Sequence, residues 1–330
     1  MKKIKFGIIG ATGHTAQELL SLTVSDKNLE CVFLTSSSEA GKHSPFLPEK
    51  KYEKLSDAEI IAKNPDIIFY ATPHGVCMKN SKTFLQAGIK IIDLSGDFRF
   101  PNITSFEKNY NIKHTFPEIF SESSDYICEY GLTEHFSKKI KKAHLVANPG
   151  CYVTASLNAL LPLKNNILSA VCDGKSGYSG AGKSFTPQNI KDLNENACIP
   201  YKIIKHRHQA EIQQFFSQNQ KISFTPHLIN TYRGMLVTLH IFLEPKFLQQ
   251  FSIEDIFGIF QKFYKNHKNI IIQKEIPKIT QVQNTNLNIL GGFEIDENGR
   301  LVIISALDNL RKGAVSQALQ NMHVMMETET

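Results

Sequence analysis

The sequence has few cysteines, and they are scattered at positions 31, 77, 128, 151, 172 and 198. None stand in CxxC spacing, so neither a zinc or other metal site nor a disulfide framework is indicated. That usage fits a reducing compartment, and a cytoplasmic location is expected. No stretch approaches the roughly 20 apolar residues that span a bilayer, which argues against a membrane protein. The opening Met1-Lys2-Lys3-Ile4-Lys5-Phe6 runs straight into a short apolar segment ending in glycine. That is a strand rather than a signal peptide. No basic stripe interleaved with aromatics is present, so nucleic-acid binding is not expected, although the net charge is +6. A mild positive excess of this kind still suits attraction of a phosphorylated substrate. There is no internal repeat and no low-complexity linker.

What is present points to two domains, as the 330-residue length allows. The first half alternates strands and helices. Ile4 to Ile9, Cys31 to Leu34, Asp66 to Ala71, Lys90 to Leu94 and His144 to Ala147 read as apolar strands, with helices over His14 to Val24 and Lys82 to Ala87. Continuous apolar strands between helices predict an α/β, doubly wound, Rossmann-type parallel sheet with its ligand crevice at the carboxyl ends of the strands. The second half reads as an α+β domain with a mostly antiparallel sheet. Its strands run over Lys221 to Ile229, Met235 to Leu243, Ile270 to Lys274, Phe293 to Ile295 and Leu301 to Ser305. A tight turn at Asp296-Glu297-Asn298-Gly299 joins the last two. Helices are expected over Ile253 to His267 and Lys312 to Met326. The domains are therefore drawn as 1–149 and 150–311. Whether the final helix, 312–327, packs back on the first domain is left open.

The run Asn148-Pro149-Gly150-Cys151-Tyr152 carries the most chemistry. Val153, Leu157, Leu160 and Leu161 repeat at helical spacing, so Cys151 is expected at a helix start. Free N–H groups there favour negative charge and lower a thiol pKa. The alternative is a buried cysteine used as a small hydrophobe. His206-Arg207-His208 offers a base, and the two imidazoles point the same way if the segment is extended. The alternative is a polar loop before a helix, with His208 near its N-terminus.

Gly10-Ala11-Thr12-Gly13-His14-Thr15-Ala16 follows a strand and opens a helix, a GxxGxxA variant of the dinucleotide fingerprint. At the end of the second strand, Thr35-Ser36-Ser37-Ser38 stands where a carboxylate would select NAD, with Lys42 close by. Hydroxyls suit a 2′-phosphate, hence NADP, although Glu39 could serve as the acid. Asp93-Leu94-Ser95-Gly96-Asp97-Phe98-Arg99 ends a strand on the crevice side. Arg99 there either grips a carboxylate or phosphate, or pairs structurally with Asp93 or Asp97. Ser179-Gly180-Ala181-Gly182-Lys183 is a small-residue loop that lets a ligand approach the backbone, without Walker spacing. Asp308-Asn309-Leu310-Arg311-Lys312-Gly313 leads into the last helix.

Together these segments resemble the N-acetyl-gamma-glutamyl-phosphate reductases, relatives of aspartate-semialdehyde dehydrogenase. The match runs nearly end to end: GATGHTAQEL at 10–19, LTSSSEAGK at 34–42, ATPHGV at 71–76, DLSGDFR at 93–99, YGLTE at 130–134, NPGCYVT at 148–154, SGAGK at 179–183, HRHQAEI at 206–212 and DNLRKGA at 308–314. The resemblance implies NADPH-dependent reductive dephosphorylation of N-acetyl-gamma-glutamyl phosphate through a thioester on Cys151, in arginine biosynthesis. It implies His206 as base with His208 in reserve, and substrate contacts from Arg99, Ser95, Asn148, Tyr201 and His208. The NADP contacts it implies are Gly10, Thr12, Gly13, His14, Thr15, Ser36, Ser37, Pro73, Ser179, Gly180, Gly182 and Asn309. An acyl phosphate and inorganic phosphate would be the partners, and the chain a homo-oligomer, dimer or tetramer. Departures are Ala16 at the third glycine position, Ser37 or Ser38 where relatives often carry Arg, Thr133, Val153 and Ala210 where Pro is usual, and Ser316 where Gly is usual. None removes a chemical group that the mechanism needs. The rival readings are a reductase of aspartyl or aminoadipyl phosphate and a nucleotide-binding regulator with a silent site.

Overall fold

The structure is a computed structural model and describes residues 3–181 and 197–328. The chain divides into two compact units. One runs to Pro149 and resumes at Ala314; the other is Gly150–Gly313.

The first unit is built on six strands: β1 (Ile4–Ile9), β2 (Leu29–Thr35), β3 (Ile67–Tyr70), β4 (Lys90–Asp93), β5 (Cys128–Tyr130) and β6 (Leu145–Ala147). They lie in the order β2-β1-β3-β4-β6-β5, and every pairing is parallel. Helices α1 (His14–Thr23), α2 (Asp57–Ala62), α3 (Cys77–Gln86), α4 (Ile103–Tyr110) and α5 (Thr133–Ile140) belong to the same unit. All four residues of β3 and all three of β6 are buried, as a strand covered on both faces requires. Only β5 escapes the hydrophobic pattern. It is a three-residue edge strand, half-buried throughout, too short to show a period.

The last helix (Ser316–Met326) adds Ala318, Met322 and Met325 to this unit's core, beside Ala16, Leu19 and Leu20 of α1. A buried amide network holds it there. Asn321 Nδ2 donates to the Gly131 carbonyl at 2.8 Å and to Asn148 Oδ1 at 3.1 Å. Thr133 Oγ1 donates to Asn321 Oδ1 at 2.7 Å and adds a hydroxyl to the network.

The second unit pairs seven strands in the order β11-β12-β13-β10-β7-β9-β8. These are β7 (Ile167–Gly177), β8 (Cys198–Pro200), β9 (Lys221–Ile229), β10 (Met235–Leu243), β11 (Ile270–Ile272), β12 (Asn288–Ile295) and β13 (Arg300–Leu307). Parallel pairings at β7–β9 and β11–β12 interrupt an otherwise antiparallel sheet. Helices α6 (Cys151–Leu160), α7 (Arg207–Gln213), α8 (Pro245–Gln250), α9 (Ile253–Tyr264) and α10 (Ile279–Val282) complete it. α6 packs on β10 and β13, and Tyr152 to Leu160 are all buried. The turn between β12 and β13 forms at Asp296–Gly299, where Asp296 Oδ1 accepts from the Asn298 and Arg300 N–H groups and Gly299 has a φ of +75°.

β7 is the long element that the sequence pattern hides. Polar and glycine residues, Asp173, Gly174, Lys175 and Gly177, break its alternation, yet it lies inside the sheet between β10 and β9.

Candidate active site

In the second unit, Gly150 caps α6 and Cys151 is its first residue. Gly150 is extended (φ −68°, ψ 146°), and no side chain caps the helix. The first-turn N–H groups of α6 therefore face outward from an uncapped start, where negative charge is favoured. Cys151 is half-buried, whereas Tyr152 to Leu160 behind it are all buried. It is thus the one residue of α6 that can reach a ligand. Gly313 closes against it: a Cβ at 313 would lie 2.7 Å from Cys151 Cβ.

The histidine segment is not extended. His206 is the N-cap of α7, and its Nδ1 accepts the His208 N–H at 3.1 Å. The two rings nevertheless meet, at a centroid separation of 4.7 Å. His208 sits within the first turn of α7 and packs on the nucleophile turn. A Cβ at Gly150 would fall 2.2 Å from His208 Nε2. Three residues on, Glu211 Oε1 accepts the Gly150 N–H at 3.0 Å. Residues three apart share a helix face, so α7 grips one glycine twice. His206 is held away from its ordinary range: burial, then the nearby Lys202 and Arg207, push it down to about 4. Tyr201 lies within electrostatic reach of Cys151, and burial pushes its phenol up to about 12.

The loop after β7 is bracketed by Asn309. Its Oδ1 accepts the Gly234 N–H at 2.7 Å, and its Nδ2 donates to Ser179 Oγ at 2.9 Å. Gly180 lies beside the same amide, with Asn309 Nδ2 3.3 Å from where its Cβ would be. Gly182 and Lys183 fall outside the described residues.

In the first unit, β1 delivers the chain to Gly10, whose φ is +83°. A Cβ there would stand 2.6 Å from the Ala71 carbonyl oxygen, so only glycine turns here. Gly13 then caps α1 with no side-chain cap and no acid in the first turn. His14 and Thr15 open that helix, half-buried. Space above Gly13, outward first-turn N–H groups and the lack of an acid in the first turn would suit an anionic group. Thr12 Oγ1 lies 3.3 Å from Ser36 Oγ, which also accepts the Glu39 N–H at 3.2 Å. Ser36 is thereby buried in the loop framework, while Ser37, Ser38 and Lys42 are exposed. Pro73, in the loop after β3, is exposed as well.

Asp93 to Arg99 form a buried polar turn at the end of β4. The Asp97 carboxylate accepts the Gly75 and Met78 N–H groups at 2.7 and 3.1 Å. Ser95 N–H donates to Asp93 Oδ1 at 2.8 Å. Burial, then the Asp97 charge, raise Asp93 to about 7 against the opposing pull of Ser95 and Arg99. Arg99 donates through Nε to the Asn148 carbonyl at 2.8 Å and through Nη2 to the Leu94 carbonyl at 3.1 Å. Two of its donors thus hold backbone, a use that neither sequence alternative named. Asn148 is also engaged internally: Nδ2 donates to the Ala314 carbonyl at 3.0 Å and Oδ1 accepts from Asn321.

Three contacts had no sequence signal strong enough to single them out. They are Glu211 on the Gly150 amide, Gly313 against Cys151, and the Tyr110 hydroxyl, which lies 1.8 Å from where a Gly96 Cβ would be. The first had a faint one, since His208 and Glu211 stand three apart in a segment that opens a helix.

Both units match known families. Residues 5–143 match the semialdehyde dehydrogenase NAD binding domain, and residues 151–309 the semialdehyde dehydrogenase dimerisation domain. The fold is that of aspartate semialdehyde dehydrogenase II from Vibrio cholerae, at a TM-score of 0.78 and 17% identity over 100% of both chains. The aspartate semialdehyde dehydrogenase with NADP from Candida albicans gives 0.66 at 15% identity, over 98% of this chain and 99% of that one. The chain is thus an oxidoreductase of the semialdehyde dehydrogenase kind, whose domains point to a nicotinamide cofactor, a small-molecule substrate and an oligomer. At sequence level it is 44% identical to the N-acetyl-gamma-glutamyl-phosphate reductase of Methanocaldococcus jannaschii, over 98% of this chain and 95% of that one. Against the enzyme of the same name from Clostridium novyi it is 39% identical, over 98% and 95%. It belongs to the N-acetyl-gamma-glutamyl-phosphate reductase family. Among the described residues, no helix is long and apolar enough to cross a membrane, and no cluster of side chains is arranged to hold a metal ion.

Proposed function

We propose that the chain reduces N-acetyl-gamma-glutamyl phosphate to the 5-semialdehyde with NADPH, releasing inorganic phosphate, as a step of arginine biosynthesis. The observation that carries this reading is the placement of Cys151: first in an uncapped helix, half-exposed, with an imidazole packed on the residue before it. Family membership supports the choice of substrate.

In this mechanism the Cys151 thiolate attacks the γ-acyl phosphate carbon. The C–O bond to phosphate breaks, phosphate departs with the electron pair, and a thioester remains on Cys151. Capture on sulfur divides one hard reduction into two easier steps. First-turn N–H groups of α6 receive the developing oxyanion, a role in which a single donor is worth about 3–4 kcal/mol. The bound NADPH supplies the hydride that takes the thioester to the aldehyde level. Collapse of the tetrahedral centre then returns the electron pair to sulfur.

Proton traffic falls to the histidine pair. His206 was the expected base, but its low pKa makes it a poor match for proton transfer near neutrality, and its Nδ1 is already used in capping. The packing of His208 on Gly150 favours His208 as proton carrier, with His206 holding the start of α7. Ser95 and Arg99 are read as substrate anchors, with two of the Arg99 donors also holding the Asn148 and Leu94 carbonyls. Gly10, Gly13 and the α1 start are read as the pyrophosphate cradle. Exposed Ser37 and Ser38, with Lys42, suit the 2′-phosphate of NADP. The dimerisation-domain match supports a homo-oligomer.

The test is Cys151→Ser. It should abolish phosphate-dependent NADP reduction with N-acetylglutamate semialdehyde while NADPH still binds. Turnover retained in that variant would rule the thioester out. Faster turnover with aspartate semialdehyde would move the substrate to the neighbouring acyl phosphate.

A further inference from the structure

Tyr152, immediately after the nucleophile, has no part in the chemistry above, yet its surroundings are specific. Its ring is 2% exposed and runs from the start of α6 into the sheet. At β7 the ring lies where a side chain would be: a Cβ on Gly174 would sit 2.5 Å from Tyr152 Cε1 and 2.7 Å from Cδ1. Its hydroxyl donates to the His227 carbonyl of β9 at 3.0 Å. The same ring stands edge-on to His208, His206 and Phe224, at centroid separations of 5.9, 6.2 and 5.0 Å.

One side chain of α6 thus touches β7, β9 and both imidazoles of the histidine segment. Its backbone is the second residue of α6. Its tip is tied to β9. Its faces and edges confine both histidines. A glycine stands in the interior of a long strand, where it weakens the strand, because the ring needs the space.

We propose that Tyr152 is a positioning residue for the reaction. Anchored on the His227 carbonyl and seated over Gly174, it sets the direction of the first turn of α6 and the placement of the His206 and His208 rings. It touches neither substrate nor cofactor. It acts through Cys151 and His208, and the proposal rests on the thioester reading above.

Tyr152→Phe is the sharp test, because it keeps the ring and removes only the anchor. A residue that merely filled space would be rescued by Phe. A positioning residue would not. The expected result is a fall in kcat of about tenfold with KM within twofold, since misplacement affects the reacting groups and not substrate capture. Alkylation of Cys151 by iodoacetamide near pH 7, followed by mass spectrometry of the peptide bearing it, should slow in parallel. Unchanged kcat together with an unchanged alkylation rate would overturn the proposal. So would an equal loss in KM alone. Gly174→Ala, which keeps the hydroxyl and displaces the ring, should reproduce both effects, and serves in place of Tyr152→Phe should that variant not fold. A folded Gly174→Ala with wild-type kcat and alkylation also overturns the proposal. The alkylation arm needs no substrate. If the wild-type chain lacked acyl-phosphate turnover, the reading of function would fail while the effect of Tyr152 on Cys151 stayed measurable.

Discussion

Gly150→Ala is the cleanest perturbation of the candidate site. The φ and ψ of Gly150, −68° and 146°, are open to any residue, so alanine adds no backbone strain. The one consequence is steric. The new Cβ would stand 2.2 Å from His208 Nε2, 2.7 Å from its Cδ2 and 2.8 Å from its Cε1. Heavy atoms rest at roughly 3.5 Å, so the ring must retreat by about 1.3 Å. Overpacking of this kind costs about 1–3 kcal/mol in stability, offset in part by the lower unfolded-state entropy of alanine, about 0.4–1 kcal/mol. The variant should fold, with a melting temperature lowered by a few degrees. Its activity should suffer far more. A misplacement near 1 Å costs about 10²-fold, or about 2.7 kcal/mol in transition-state stabilisation. The assay is phosphate-dependent NADP reduction, read by absorbance, with circular dichroism as the control for folding. A double-mutant cycle sharpens it. If Gly150→Ala acts through the imidazole, His208→Ala and the double variant should be equally slow. A kcat/KM within threefold of wild type in folded Gly150→Ala, or full additivity with His208→Ala, would refute the assignment of His208.

Two further outcomes are expected. Gly10→Ala forces a Cβ to 2.6 Å from the Ala71 oxygen at a φ of +83°, and should raise the dissociation constant for NADPH at least tenfold by fluorescence titration; an unchanged constant would remove the loop from the cofactor site. His206 is pushed down to about 4 from an ordinary 6.5, so below pH 6.5 the unfolded chain takes up a proton that the folded chain refuses. Its share of stability, at most about 3 kcal/mol, is complete above about pH 6.5 and drains away as pH falls towards 4. His206→Asn keeps a capping oxygen but cannot titrate, so its urea midpoint should fall less steeply than that of wild type across this window; parallel curves would contradict the burial argument.

Much of the fold could be read locally. The apolar runs of β1, β3 and β4 announce a strand covered on both faces, and the glycine spacing after β1 announces a turn that feeds a helix. Cys151 at the start of α6 follows from Pro149-Gly150 and the apolar period behind it. β7 could not be read that way. Its interior Gly174 answers to Tyr152, which lies 22 positions earlier in the chain, and not to its own strand. The composition likewise says nothing about Arg99, whose donors turn to the Asn148 and Leu94 carbonyls once the chain has folded.

By itself, then, the sequence determined where the chain turns, which segments alternate and which residue types stand at those turns, because glycine freedom, helical period and strand burial act over a few neighbours. Only the tertiary structure decided which imidazole leans on the nucleophile turn, that Glu211 reaches back across 61 positions to the Gly150 amide, and that Asn148 and Asn309 spend their amides on backbone, hydroxyl and side-chain amide partners. Those outcomes depend on distances between segments far apart in the chain, and no local pattern carries a distance of that kind.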